Sequence, residues 1–478
     1  MSDGTREGSR RTMSGADAMW LHADRPNHLM VIDGIMWTAE PLDWARLRRT
    51  VQERLVDVYP VFHQRPVAPA HLWELPGWED DPDFSLSNHL HHAKLRKPGG
   101  DAQLRAFLEK KVRRPLDRSH PLWETWLVDG YQGGSVVFSR LHHAMADGIA
   151  LAQVMLTLTD ASPDEQVAPP EPVLASRAGR LGSVVSSGTA LLRATASLPT
   201  APVTALKGVG VTRKLLLDVL PDSLFSHEPG VDKRLTWTRP QPVADVKAIG
   251  RATGSTVNDV LIAALAGALN RYLHAFDESV DRLTTMVPVN IRPPDQPLPR
   301  ELGNKFALVM LHLPTGEMAP LQRLEEVHRR MESIKHSPEV LITTAVAEGI
   351  GHLHAVEKPF VDFFAGKAVG VTTNVAGPRE PRYLAGVEVT GILGWVPGSG
   401  GQTLGVCIFS YAGTVRIGFK VDAATVAQPE RLVALVEAEL DSLRQLVTPD
   451  RAGSAASRPA ATRSGPPTTS PPVASTGR

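Results

Sequence analysis

The sequence has one cysteine, Cys407, among 478 residues. That excludes an internal disulfide framework and a cysteine-built zinc site, and it suits a reducing cytoplasm. Charge of one sign is not in excess either. Lysine plus arginine and aspartate plus glutamate number 51 each, so no overall field draws the chain to nucleic acid. Long apolar runs are missing. The longest, VLIAALAGAL from Val260, falls well short of the ~18 residues that a membrane span needs. The amino-terminal MSDGTREGSRRTMSG is polar and lacks the apolar core of a signal peptide. There is no Gly-x-Ser-x-Gly elbow and no His-Glu-x-x-His, the usual marks of a serine nucleophile and of a helix-borne zinc. Cys407 itself lies inside the apolar GVCIFSY, where a buried structural thiol is the default.

What remains is an ordinary globular composition, 42% hydrophobic and 21% charged, on a chain long enough for two domains. Residues 1–161 alternate short strands and helices: HLMVIDGIMW, PLWETWLVDG and SVVFSRLHH read as strands, and DWARLRRTVQERLVDVYP as an amphipathic helix ended by Pro60. A Pro-rich linker and crossover segment occupies 162–233. Between Arg177 and Leu220 it holds six basic residues and one acid, Asp218. This stretch reads either as a surface for anionic lipid or as a plain helical crossover.

The second half, 234–450, opens on RLTWTRP. Its helix STVNDVLIAALAGALNRYL is capped by Ser255 or Thr256, with Val257, Val260, Leu261, Ala264, Leu265, Ala268 and Tyr272 on one face. Strands are expected at RLTTMVPVNI, KFALVMLHLP, AVGVTTNV, GVEVTGILGW, TLGVCIFSY and TVRIGFKVD, and a closing helix at PERLVALVEAELDSLRQLV. Residues 451–478 have the composition of a disordered tail. The fold class is α/β, two sandwich domains side by side.

One motif carries chemistry. SRLHHAMADGIA puts His142 and His143 ahead of Asp147-Gly148, where an apolar β-branched run gives way to a helix. A neutral imidazole, with a pKa near ~6.5, is well matched to taking a proton at neutral pH. Adjacent strand residues face opposite ways, so one histidine is functional and the other packed. Asp147 either orients the ring or holds the loop, and Gly148 lets the backbone turn sharply into the helix. His89, His91 and His92 add imidazoles, but without the spacing of a metal site. With no nucleophile available, the base activates the hydroxyl of the substrate itself.

HHAMADG resembles the His-His-x-x-x-Asp-Gly signature of the bacterial wax ester synthase/diacylglycerol acyltransferases, within the chloramphenicol-acetyltransferase-like acyltransferases. MSGADAMWLHADRPNHLMVID, PLDRSHPLWETWLVDG, STVNDVLIAAL, VPVNIR, ELGNKF, TTNVAGP and PGSGGQTLGVCIFSY resemble further blocks of that family, in order from about residue 13 to 448.

The resemblance implies two chloramphenicol-acetyltransferase-like α/β sandwich domains with an interdomain active-site tunnel. It implies acyl-CoA as co-substrate, no bound cofactor and no metal. His143 would be the general base and Asp147 its structural partner, paired with Arg292. Asn258 would stabilise the oxyanion or position the substrate, unless it is a capping amide. Asn374 and Gly377 would shape the tunnel wall, and Ser399 would donate to the oxyanion. Pro121, Leu122 and Trp123 read as packing behind the His strand. The acceptor would be diacylglycerol or a long-chain alcohol. The protein would be cytoplasmic, with peripheral contact at the inner membrane face or at lipid droplets. A polar acceptor (polyketide, sugar or amine) and a non-catalytic acyl-CoA-binding scaffold are the alternatives.

Overall fold

The computed structural model describes residues 10–71, 74–164, 220–291, 298–335, 362–363 and 365–447. Arg292, most of the 162–233 segment and the 451–478 tail lie outside the described residues.

Two seven-stranded sheets form the frame. The first runs, edge to edge, Leu90–Lys94, Trp123–Tyr131, Gly134–His142, Val31–Thr38, Val387–Trp395, Arg382–Leu384 and Thr159–Asp160. The second runs Gln241–Pro242, Thr414–Asp422, Leu404–Tyr411, Gly370–Ala376, Arg282–Asn290 and Phe306–Pro314, with Lys233–Trp237 also paired to Thr414–Asp422. The strands expected from the apolar runs all form. In Gly134–His142 every residue is buried, which is why its sequence reads as a continuous apolar run and not as an alternation. It joins Trp123–Tyr131 through Gln132 and Gly133, both at positive φ (50° and 92°), the pair that a two-residue hairpin turn requires.

Strands cross the division expected at residue 234. Residues 382–395 belong to the second half of the chain, yet Val387–Trp395 pairs antiparallel with Val31–Thr38 in the first sheet. Without these strands Val31–Thr38 would be an exposed apolar edge. Core packing crosses the division too: Cys407, Phe409 and Tyr411 of the second sheet belong to the same buried cluster as Ile35, Leu141 and Trp395.

The helix Val257–His274 also differs from expectation. It is buried almost all round, from Asn258 to Leu273 with only Arg271 outside, because neighbouring helices Val243–Thr253, Pro320–Lys335 and Pro429–Val447 enclose it. Thr256, not Ser255, is its cap: Thr256 Oγ1 accepts from Asp259 N, and Asp259 Oδ2 accepts from Thr256 N. Among the described residues no single helix is long and apolar enough to cross a membrane.

A buried ion network ties the two sheets together. Asp33, fully buried, accepts from Arg140 Nε at 3.2 Å and from Lys420 Nζ at 2.7 Å. Asp33 and Arg140 lie opposite each other in the first sheet, whereas Lys420 comes from Thr414–Asp422 in the second.

Candidate active site

The His strand ends at His142, and the chain turns at Asp147 into the helix Gly148–Leu156. Asp147 closes this turn with both carboxylate oxygens. Oδ1 accepts from Ala150 N at 2.9 Å, capping the helix, and Oδ2 accepts from Lys305 N at 3.0 Å. Gly148 is the first helical residue and has no left-handed φ, so the sharp turn expected of it is made by the Asp147 cap instead.

The two histidines part as strand alternation requires. His142 is 1% exposed and packed. Its backbone N donates to Leu122 O, its Nδ1 accepts from Ala144 N at 3.0 Å, and its Nε2 lies 3.6 Å from Asp24 Oδ2. Burial alone would raise the Asp24 carboxyl, but His142 beside it holds it below the usual carboxylate range. Leu122 and Trp123 are fully buried behind this strand.

His143 instead lines a cavity between the sheets. The ring stacks on Trp20 at 4.4 Å between centroids and lies 5.6 Å from the Phe306 ring. Its Nδ1 is 3.0 Å from Asn304 Oδ1. The orientation of that amide is settled by its other bonds: Asn304 Nδ2 donates to Asp17 Oδ1 and to the His143 carbonyl, both at 2.8 Å. The oxygen of Asn304 must therefore face the ring, the ring must carry its proton on Nδ1, and the Nε2 lone pair is left free. Burial lowers the His143 pKa to about 4, against the pull of the Asp147 charge, so the ring is neutral at physiological pH. Asp17 in turn is pushed up by burial, against the hydrogen bonds from Asn304 and Ser14.

The cavity holds about 1280 Å³ of empty space, open mouth included. Its walls are chiefly methionine, isoleucine, leucine, valine and phenylalanine, drawn from both sheets and from the helix Gly148–Leu156. Cys407 is part of the wall, and burial pushes its thiol up to about 12, which leaves it protonated and inert.

The chain from residue 13 to 261 matches the model of the wax ester synthase/diacylglycerol acyltransferase catalytic domain, and residues 302–444 match the model of the C-terminal domain of the same proteins. It belongs to the wax ester synthase/diacylglycerol acyltransferase family. A Mycobacterium tuberculosis protein that provisionally bears the name diacylglycerol O-acyltransferase is 30% identical over 466 residues, covering 91% of this chain and 97% of the relative. Among solved structures, the wax ester synthase/diacylglycerol acyltransferase from Marinobacter aquaeolei superposes with a TM-score of 0.67 at 21% identity. That match covers 91% of this chain and 99% of the other. The starter condensation domain of rhizomide synthetase, solved with C8-CoA, superposes with a TM-score of 0.56 at 17% identity over 92% and 94% of the two chains. These likenesses carry the two-domain chloramphenicol-acetyltransferase-like fold.

Within this family member the expected site residues scatter more than the motif suggests. His143, Asp147, Gly148 and Ser399 line the one cavity. Asn258 and Asn374 do not; Asn374 Nδ2 donates to Asn258 Oδ1 at 2.8 Å. Gly377 is packed behind: its N donates to Ser410 O at 2.8 Å, and a Cβ there would come within 2.5 Å of that same oxygen. Ser399 N donates to Gln402 Oε1, with the Ser399 hydroxyl 3.4 Å from that oxygen. His89, His91 and His92 diverge. His89 Nδ1 is 2.8 Å from the Trp123 carbonyl, His92 Nε2 is 2.7 Å from Asp129 Oδ2, and His91 stands against Trp126.

Three residues that hold the His143 ring were missed: Asp17, Trp20 and Asn304. All lie in blocks that stood out in the sequence, MSGADAMW and ELGNKF, but nothing in spacing says that residues 287 positions apart meet at one imidazole. Replacing Asn304 with leucine should therefore free the tautomer while sparing Nε2. Turnover should fall about 10- to 100-fold with KM nearly unchanged, as measured by steady-state kinetics, since the loss falls on a proton transfer and not on binding. Unchanged turnover would show that Asn304 does not set the tautomer.

Proposed function

We propose that the chain is an acyl-CoA-dependent O-acyltransferase that moves a long-chain acyl group to diacylglycerol, to a long-chain alcohol, or to both. The observation that carries this reading is a neutral imidazole with its free nitrogen in an apolar cavity walled by both sheets. The acceptor hydroxyl gives its proton to His143 Nε2 as its oxygen attacks the thioester carbonyl. The tetrahedral intermediate collapses, the carbon–sulfur bond breaks, and the departing CoA thiolate takes the proton back from His143. No covalent enzyme intermediate is needed.

Asp147 acts as a positioning residue: by gripping Lys305 N it fixes the neighbouring Asn304, which holds the ring. Of the residues expected to face the developing oxyanion, Ser399 shares the cavity with His143 and is the donor we favour. Walls of this composition suit acyl chains and leave little for a polar acceptor to bond. The relatives' names point the same way, as does the binding of an acyl-CoA by the rhizomide synthetase domain. We place the protein in the cytoplasm, meeting lipid as a peripheral protein.

The test supplies labelled palmitoyl-CoA with dioleoylglycerol or hexadecanol and separates the neutral lipids, with vesicle flotation run alongside. A labelled triacylglycerol or wax ester is expected, and the ratio of the two names the acceptor. Free fatty acid alone, or no product from folded protein, would overturn the reading. Protein that fails to float with anionic vesicles would remove the peripheral contact.

A further inference from the structure

Arg140 lies between Ser139 and Leu141, both of which line the apolar cavity, so its side chain leaves the other face of the sheet. A second cavity opens there, with about 780 Å³ of empty space, open mouth included. His91, Lys111, Arg114, Glu124, Trp126 and Arg140 line it.

The guanidinium of Arg140 is the unusual feature. It is fully buried, and its nitrogens have separate fates. Nε donates to Asp33 Oδ1 at 3.2 Å and Nη2 donates to the Arg114 carbonyl at 2.8 Å. Nη1 is buried without a hydrogen-bond acceptor, with Glu124 Oε2 standing off at 3.6 Å. A buried charged donor left in this state costs free energy that a ligand oxygen would recover.

The charge balance points to the sign of that ligand. Asp33 is shared by Arg140 and Lys420, so one positive charge of that pair is left unmatched. Lys111 stands 4.4 Å from the centroid of the Trp126 ring, a neutral partner. Glu124 is the one carboxylate among the lining residues, facing Lys111, Arg114 and Arg140, and burial raises its pKa. Burial lowers the pKa of His91, which keeps that ring neutral, and His92 is held by Asp129. Three cations against one carboxylate leave two positive charges. Burial also lowers the pKa of Lys111, opposed by Glu124, while Arg114, Lys110 and Arg140 repel it, a repulsion that an anion relieves.

We propose that this cavity binds a dianionic phosphate group, with Arg140 Nη1 and the Lys111 ammonium as donors and Arg114 at its rim. Planar guanidinium and compact ammonium together are the usual donors to phosphate oxygens. The group could be free phosphate or the phosphate monoester of the CoA moiety. The site stands on its own geometry and does not depend on which acceptor the catalytic cavity takes.

The test is calorimetric titration of the full chain, as wild type and as the double variant Lys111→Gln/Arg114→Gln, with inorganic phosphate, CoA and 3′-dephospho-CoA. The wild type should bind one phosphate, and the double variant should bind it about tenfold or more weakly. Equal melting temperatures in chloride buffer show that the variant is folded. Phosphate displaced by CoA but not by dephospho-CoA identifies the CoA monoester as the source. Phosphate undisturbed by saturating CoA identifies free phosphate. No phosphate binding by the wild type, or equal affinity in the double variant, overturns the proposal.

Discussion

Replacing His143 with alanine should lower turnover roughly 10²- to 10⁴-fold, the usual scale for removing a general base, while the fold persists. The expectation rests on the state of the ring. Asn304 holds the proton on Nδ1, Nε2 is the free base, and burial brings the pKa down to about 4. The pH profile is therefore part of the prediction. Wild-type kcat/KM should stay level through neutral pH and fall in acid with a midpoint near 4, where an ordinary histidine would lose its base form near ~6.5.

Stability should move with it, and the sign is fixed. The unfolded chain takes up the proton first, so the contribution of the neutral ring is present above about 6.5 and lost as pH falls toward 4. His143→Ala should flatten that part of the stability curve. Turnover of His143→Ala equal to wild type would end the mechanism.

The second large effect is on stability and comes from Asp33→Ala. Removing that carboxylate leaves Arg140 and Lys420 as buried cations facing each other across the two sheets. Breaking a buried pair by deleting one partner costs about 3–5 kcal/mol, chiefly because the remaining charge has no compensation. Here two cations are stranded and neither is more than about a tenth exposed: Arg140 is fully buried and Lys420 is 9% exposed. Denaturant unfolding of wild type and variant measures the difference. A loss under ~1 kcal/mol would mean that both cations reach water once the carboxylate is gone.

Much of this architecture is legible along the chain because strands and helices are local. The run SVVFSRL is β-branched and apolar because its strand is buried on both faces, and Asp147 caps a helix because a carboxylate three residues ahead can reach Ala150 N. That His142 and His143 leave on opposite sides follows from strand alternation alone. The Val257–His274 helix misled for the complementary reason: a one-sided apolar stripe was expected, but the small residues between, such as Ala263, Ala266 and Gly267, let helices close on every side.

By itself, then, the sequence determined the order of the elements, the paired histidines at the end of their strand and the turn that follows them, since each depends on residues within a few positions of one another. Only the tertiary structure decided what holds the imidazole, what closes the first sheet and what pins the two halves together. Asp17 and Asn304 meet His143 across two long loops of chain, Val387–Trp395 crosses back to cover Val31–Thr38, and Asp33 finds its second cation at Lys420. Contacts of that kind leave no periodicity in the sequence, because their partners are selected by packing and by the cost of burying a charge or an amide unpaired.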